Sequence, residues 1–155
     1  DTIKFTSVDP YRIIVSGRIK HFLSAFGEHV ISEEVEKAMQ AAIKLHNVAI
    51  REFTVAPNIN PIDMLPHHEW YVEFENFPED MSAFTKSLDD EMINQNIYYK
   101  DLIDGKILKS LEVISVEIGG FNNYMKSVGK LGGQNKVPRL SNDRKIADKL
   151  KTINA

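Results

Sequence analysis

Residues 69–76 read Glu-Trp-Tyr-Val-Glu-Phe-Glu-Asn, with a strongly apolar side chain at every second position. Successive side chains of a β-strand point to opposite faces, so Trp70, Val72 and Phe74 share one face and the glutamates lie on the other. This alternation is typical of an antiparallel strand with one buried and one solvated face. We therefore expect half-buried strands in this fold rather than a fully buried parallel sheet.

The rest of the chain alternates between β-branched runs and stretches with helical spacing. Ser32 followed by Glu33 and Glu34 predicts a helix start, because a cap oxygen and two carboxylates favour the positive end of the helix dipole. Further strands are predicted at 3–6, 12–16, 21–26, 29–31, 48–57 and 110–118, and further helices at 81–92, 96–104, 120–129 and 142–151. The order indicates an α+β fold with a small mixed or antiparallel sheet flanked by helices.

The composition excludes several classes of protein. With 155 residues, 43% of them hydrophobic, the chain is long enough for one domain with its own core. It has no cysteine, which excludes a disulfide scaffold and thiol catalysis. No apolar run approaches the ~20 residues of a membrane span, and no signal peptide is visible. We expect a cytoplasmic protein without a membrane partner.

The charge is distributed unevenly along the chain. Residues 126–151 hold eight Lys or Arg and two Asp, a net charge of +6, against −9 for the remainder. A basic segment suits phosphate or another anion, although a solvated helix face would have the same composition. Nucleic acid is not expected as a partner, because this segment lacks interleaved aromatic residues and the rest of the surface would repel a polyanion.

Two basic elements are candidates for anion binding. Arg18 and Lys20 are two residues apart, so their side chains point the same way in an extended segment. They could form an anion site, or they could be the solvated start of a strand. The second element is the segment 130–141, which resists assignment, with two adjacent glycines, several basic residues and almost nothing to bury. It lacks the spacing of a P-loop, and a flexible loop without a ligand is the alternative.

Other constellations of functional residue types are weaker. His67–Glu69 lacks the HExxH spacing and has no obvious third ligand, so no metal site is expected. Asp89, Asp90 and Glu91 are expected on a solvated helical face. No Ser-His-Asp order or nucleophile elbow is visible.

The segment 17–36, GRIKHFLSAFGEHVISEEVE, resembles the core motif that opens the C-terminal domain of adenylate-forming enzymes, the acyl-CoA ligase and luciferase superfamily. Two further segments, YYKDLIDGKILKSLEV (98–113) and GQNKVPRLSND (133–143), resemble the auxin-responsive acyl-acid amido synthetases of plants and their bacterial relatives. The first segment looks more like a bacterial member than a plant one.

The resemblance implies a ligase that uses ATP and Mg²⁺ to adenylate a carboxylic acid and then transfers the acyl group to an amine such as an amino acid. Residues 1–17 would be a hairpin at the edge of an N-terminal adenylation domain. Residues 18–155 would form the C-terminal lid domain after a hinge near Arg18 and Lys20. ATP, Mg²⁺ and the acyl substrate would be bound mainly by the N-terminal domain, so the lid alone is expected to be inactive.

The same resemblance implies roles for particular residues near the two ends of the chain. Asp1 would hydrogen-bond the ribose hydroxyls of ATP, Arg18 would approach the ribose, and Lys20 would be the hinge. Lys136 would be the catalytic lysine that contacts the α-phosphate and the attacking carboxylate.

Lys130 and Arg139 would assist Lys136 in binding the nucleotide. A thioester-forming acyl-CoA ligase is the alternative within the superfamily. A stand-alone α+β module that binds an anion or a protein is the alternative of another class.

Overall fold

The computed structural model describes residues 2–17 and 22–153 of the chain. The strands are β1 (Thr2–Val8), β2 (Tyr11–Gly17), β3 (Phe22–Leu23), β4 (Val30–Ile31), β5 (Ala49–Asn58), β6 (His67–Asn76) and β7 (Glu112–Val116). The helices are α1 (Ser32–His46), α2 (Met81–Gln95), α3 (Ile97–Asp104), α4 (Gly120–Ser127) and α5 (Lys145–Ile153). These elements confirm the expected α+β class.

The central sheet has three strands in the order β5-β6-β7 and is mixed. Strand β6 runs antiparallel to β5 and parallel to β7. One face carries Phe53, Trp70 and Val72 and packs against the apolar stripes of α1, α2 and α3. These stripes are spaced as the sequence predicted. Asp80 caps α2 by accepting a hydrogen bond from the backbone N–H of Ala83 at 3.0 Å. Helix α1 begins at Ser32 as predicted, but the expected cap oxygen of Ser32 is wrong, because the N-cap is Ile31, whose backbone N–H donates to Glu34 at 3.0 Å.

The second face of the sheet is also covered, which the alternating pattern of β6 did not predict. Tyr71 and Val116 on this face pack against apolar side chains of α4 and α5. Consequently Glu69 and Glu73 are only 3% exposed instead of solvated. The expectation of a half-buried strand was therefore wrong for most of β6. Its polar face lies beneath two helices that come more than forty residues later in the chain.

Strands β1 and β2 form a separate antiparallel hairpin, as the sequence predicted. Seven of its apolar side chains are 48–79% exposed, namely Ile3, Phe5, Val8, Tyr11, Ile13, Ile14 and Val15. A contiguous apolar surface of this kind usually marks an interaction site. Among the helices of residues 2–17 and 22–153, none is long and apolar enough to cross a membrane.

The segment 130–141 has two structurally different halves. Residues 130–136 are exposed, whereas Val137 and Leu140 are buried, so the expectation of almost nothing to bury was wrong for the second half. Leu140 forms a parallel bridge with Val55 of β5, and the hydroxyl of Thr54 donates to the carbonyl oxygen of Pro138 at 2.7 Å. The second half therefore lies against the edge of the sheet and holds the exposed half in place.

Candidate functional site

A cleft of about 640 Å³ lies where the exposed half of this loop faces the sheet. Its floor is formed by residues 50–52 of β5 and by Glu73 and Glu75 of β6. Phe121, Asn122 and Met125 of α4 form one wall, and the other is formed by Leu131, Gly132 and residues 135–137. Lys136, the residue that the resemblance assigns to catalysis, belongs to this second wall.

Lys136 is placed by the residues on either side of it. Gly132 and Gly133 adopt φ angles of +89° and +66°, a conformation that side chains with a Cβ rarely tolerate. The next residue after the lysine, Val137, is buried and fixes the end of the turn. The lysine itself is exposed and forms an ion pair with none of the residues that the structure describes. Its ammonium group is thus available to a ligand.

The carboxylates of the cleft are already engaged by other groups. Glu73 accepts hydrogen bonds from the backbone N–H groups of Gly119 at 2.8 Å and Phe121 at 3.3 Å, at the N-terminus of α4. The Glu75 carboxylate lies 3.7 Å from the guanidinium of Arg51. The unpaired ammonium group of Lys136 suits a phosphate or carboxylate anion.

Arg139, predicted to assist in nucleotide binding, lies in a network with the protein's own side chains. Its guanidinium donates to the carboxylates of Glu36 on α1 and Glu52 on β5, and to the carbonyl oxygen of Phe53 at 3.0 Å. It also lies over the Phe53 ring, 4.4 Å from its centroid. Burial acts to lower the pKa of Arg139, but the two carboxylates outweigh it and raise the pKa above its usual value. The structure therefore assigns Arg139 a docking contact between loop, helix and sheet.

The other predicted site residues are not brought together with Lys136 by the described structure. The backbone N–H of Lys130 donates to the carbonyl oxygen of Met125 at 2.8 Å, and its side chain lies outside the cleft lining. Asp1, Arg18 and Lys20 lie outside the described residues, so their roles stay predictions.

The glycine turn that follows the predicted hinge is fixed by a buried hydrogen bond between Glu28 and His68. Gly27 has a φ of +89°, and the next residue, Glu28, is fully buried. The carboxylate of Glu28 accepts from the backbone N–H of Phe26 at 2.8 Å and from Nε2 of His68 at 2.9 Å. Burial acts to raise the pKa of Glu28, but the contacts with His68 outweigh it and lower the pKa below its usual range. The turn is thus attached to β6 of the central sheet.

Sequence reasoning missed several polar residues that the fold buries. Asp89 was expected on a solvated face, but it is 6% exposed and accepts from the hydroxyl of Tyr99 at 2.6 Å. The sequence showed no third metal ligand beside His67 and Glu69, but the structure places Glu112 of β7 next to them. No local pattern could have revealed this, because Glu112 reaches them only through strand pairing.

Comparisons with known proteins agree with this architecture. The family model of the GH3 family C-terminal domain matches residues 33–145. The structure is similar to a GH3.15 acyl acid amido synthetase, with a TM-score of 0.72 and 19% identity over 94% of this chain. It is also similar to AtGH3.15 acyl acid amido synthetase in complex with 2,4-DB, with a TM-score of 0.70 and 19% identity over 94% of this chain. The chain spans 28% and 27% of the length of these two proteins. No curated protein sequence matches it.

Proposed function

Because this chain belongs to the GH3 family, whose C-terminal domain matches residues 33–145, we propose that it is the lid domain of an ATP-dependent acyl-acid amido synthetase. In the first half-reaction a carboxylate oxygen attacks the α-phosphorus of ATP, which gives an acyl-adenylate and releases pyrophosphate. In the second half-reaction an amine, such as that of an amino acid, attacks the acyl carbon. An amide forms, AMP leaves, and the amine gives up a proton.

The observation that carries this proposal is the position of Lys136. Its ammonium group is unpaired among the described residues and lies at a cleft whose own carboxylates are engaged elsewhere. Two anions, the carboxylate and the α-phosphate, must approach one another in adenylation, and a positioned cation stabilises the charge that develops between them. Removing one such group typically slows a reaction by about 10²–10³-fold.

The proposal requires a second domain, and the β1–β2 hairpin supports it. The exposed apolar side chains of the hairpin would be covered if residues 1–17 belonged to the edge of a preceding adenylation domain. That domain would supply most of the ATP, Mg²⁺ and acyl-substrate contacts, as the resemblance to this family implies.

The residues near the proposed boundary between the two domains would then have the roles that the resemblance implies. Asp1 and Arg18 would contact the ribose, and rotation at Lys20 would exchange the adenylation and transfer positions of the lid. The buried Glu28–His68 pair supports this assignment, because it makes the turn after the hinge rigid with the sheet. A cytoplasmic location follows from the need for ATP and a free amine.

Product analysis tests the proposal. The intact protein is incubated with ATP, Mg²⁺ and a panel of carboxylic acids, with an amino acid mixture in one series and coenzyme A in the other. We expect AMP, pyrophosphate and an N-acyl amino acid in the first series. Thioester formation without amide would replace the proposed function by that of an acyl-CoA ligase, and no AMP release with any acid would refute adenylation.

A further inference from the structure

A second group of functional side chains lies at the opposite end of β6 from the cleft. Nε2 of His67 is 3.4 Å from a carboxylate oxygen of Glu112 and 3.9 Å from one of Glu69. The three potential ligand atoms all lie within 4.8 Å of one another. His67 is six residues before Glu73, which is about 20 Å along a strand, so this group is independent of the proposed active site.

The hydrogen bond of His67 determines which of its ring nitrogens carries a proton and which presents a lone pair to the carboxylates. Nδ1 lies 3.1 Å from the carbonyl oxygen of Leu65, which can only accept, so Nδ1 carries a proton. In the neutral imidazole Nε2 is then unprotonated. Nε2 has no hydrogen-bond partner and is buried, since His67 is only 1% exposed. A buried lone pair that faces two carboxylates is unfavourable unless a cation lies between them.

Both carboxylates are oriented by hydrogen bonds from other side chains. Oε2 of Glu69 accepts from the hydroxyl of Tyr71 at 2.6 Å and from Arg144 at 2.7 Å. Oε1 faces His67 and also accepts from Nδ2 of Asn58 at 3.1 Å and from Lys151 at 3.3 Å. Oε1 of Glu112 accepts from Lys109, while Oε2 faces His67. In protein metal sites, hydrogen bonds of this kind orient the side chains that coordinate the metal.

The backbone keeps the three side chains in register. Glu69 and Glu112 are direct partners in the parallel pairing of β6 and β7, and His67 lies two residues earlier on the same face of β6. The site therefore rests on the rigid central sheet rather than on a loop.

From this geometry we propose that His67, Glu69 and Glu112 form a binding site for a divalent transition-metal ion, with Zn²⁺ the best match. One imidazole nitrogen and two carboxylate oxygens are a zinc donor set, and the nitrogen disfavours Mg²⁺ and Ca²⁺. Ligands of a tetrahedral zinc ion lie about 3.3–3.6 Å apart, given bond lengths of about 2.0–2.2 Å. The observed 3.4 Å already meets this spacing, and the 3.9 Å separation needs only a small closure.

The surroundings leave room for a fourth ligand. The group lines an open groove of about 430 Å³ beside Asn58, Asn60 and Met64, through which a water molecule can reach the ion. The ammonium group of Lys151 lies 3.3 Å from Oε1 of Glu69 and must turn away when the ion binds. Its side chain is 46% exposed, so solvent can accommodate it. Competition from this ammonium group is expected to weaken zinc binding relative to a site without it.

Equilibrium dialysis of the intact protein against Zn²⁺, followed by metal analysis, tests the site. Glu112→Gln is the informative variant, because Glu112 is 41% exposed and its loss leaves the core intact. Glu79→Gln, an exposed carboxylate on the loop before α2, is the matched control. We expect the wild type and the control to hold more zinc per chain than Glu112→Gln at every sub-saturating free Zn²⁺ concentration, because the affinity of the variant at this site is weakened about tenfold or more.

Equal zinc content in the wild type and in Glu112→Gln would overturn the assignment. So would a wild type that gains no cobalt absorption band from nitrogen and carboxylate coordination when Co²⁺ replaces Zn²⁺. Neither result bears on adenylation, which is measured separately by pyrophosphate and AMP release.

Discussion

Replacing Arg139 by alanine tests whether this residue attaches the loop of residues 130–141 to the domain. The substitution removes the contacts of the guanidinium with Glu36 and Glu52 and its position over the Phe53 ring. It also leaves the carbonyl oxygen of Phe53 without this donor. The two carboxylates would then lose their common cation, and the loop would lose its contacts with α1 and β5.

The magnitude follows from the partial exposure of these groups. The side chain of Arg139 is 28% exposed, and those of Glu36 and Glu52 are 39% and 26% exposed. Each ion pair is therefore expected to contribute about 0.5–1 kcal/mol rather than the 3–5 kcal/mol lost on breaking a buried pair. The contact with the ring adds about 0.5–1 kcal/mol, and the lost carbonyl hydrogen bond about 1 kcal/mol. We expect Arg139→Ala to lower the free energy of unfolding by about 2.5–4 kcal/mol.

Urea denaturation followed by circular dichroism measures this loss. With a slope of about 2 kcal/mol/M, the midpoint of unfolding should fall by about 1.2–2 M. Arg139→Lys should lose about half as much, since it keeps the charge but not the forked geometry. Lys130→Ala, an exposed residue of the same loop, should stay within about 0.5 kcal/mol of the wild type. An Arg139→Ala midpoint equal to that of Lys130→Ala would refute the docking role.

Two further predictions concern the region around the proposed hinge. Glu28 has a pKa below its ordinary 4.5 in the folded state, so its contribution to stability is complete above about pH 4.5 and is lost as the pH falls through the lower folded value. Urea midpoints measured from pH 7 to pH 2 should therefore fall less steeply for Glu28→Gln than for the wild type, and parallel curves would contradict this. Lys20→Pro should spare carboxylate-dependent pyrophosphate exchange and impair amide formation, because proline restricts the backbone rotation that transfer needs. Equal loss of both activities would argue against a hinge there.

Local patterns predicted the elements well, because each was encoded over a short stretch. The stripe of Phe84, Leu88 and Met92 specified α2, and the alternation around Trp70 correctly separated the two faces of β6. The burial of the second face could not be predicted in this way. It depends on where α5 packs, and that helix begins about seventy residues after β6 ends.

For the candidate site too, the residues within a local motif could be predicted, whereas contacts between residues distant in the chain could not. Lys136 was found through its resemblance to a family motif, and the structure adds that it lies at a cleft with no competing carboxylate partner among the described residues. The partners of Arg139 and the third member of the His67 group were missed. Glu36 and Glu112 lie 103 and 45 positions away from the residues that they contact, and only the tertiary fold brings them close.

Carboxylate-dependent exchange of labelled pyrophosphate into ATP, compared between Lys136→Ala and Lys126→Ala in the intact protein, tests the central claim most directly. Both lysines are exposed and occur in the same basic segment, but only Lys136 lines the cleft. We predict that Lys136→Ala lowers the exchange rate by about 10²-fold or more and that Lys126→Ala leaves it within about twofold. Undiminished exchange in Lys136→Ala would contradict the account.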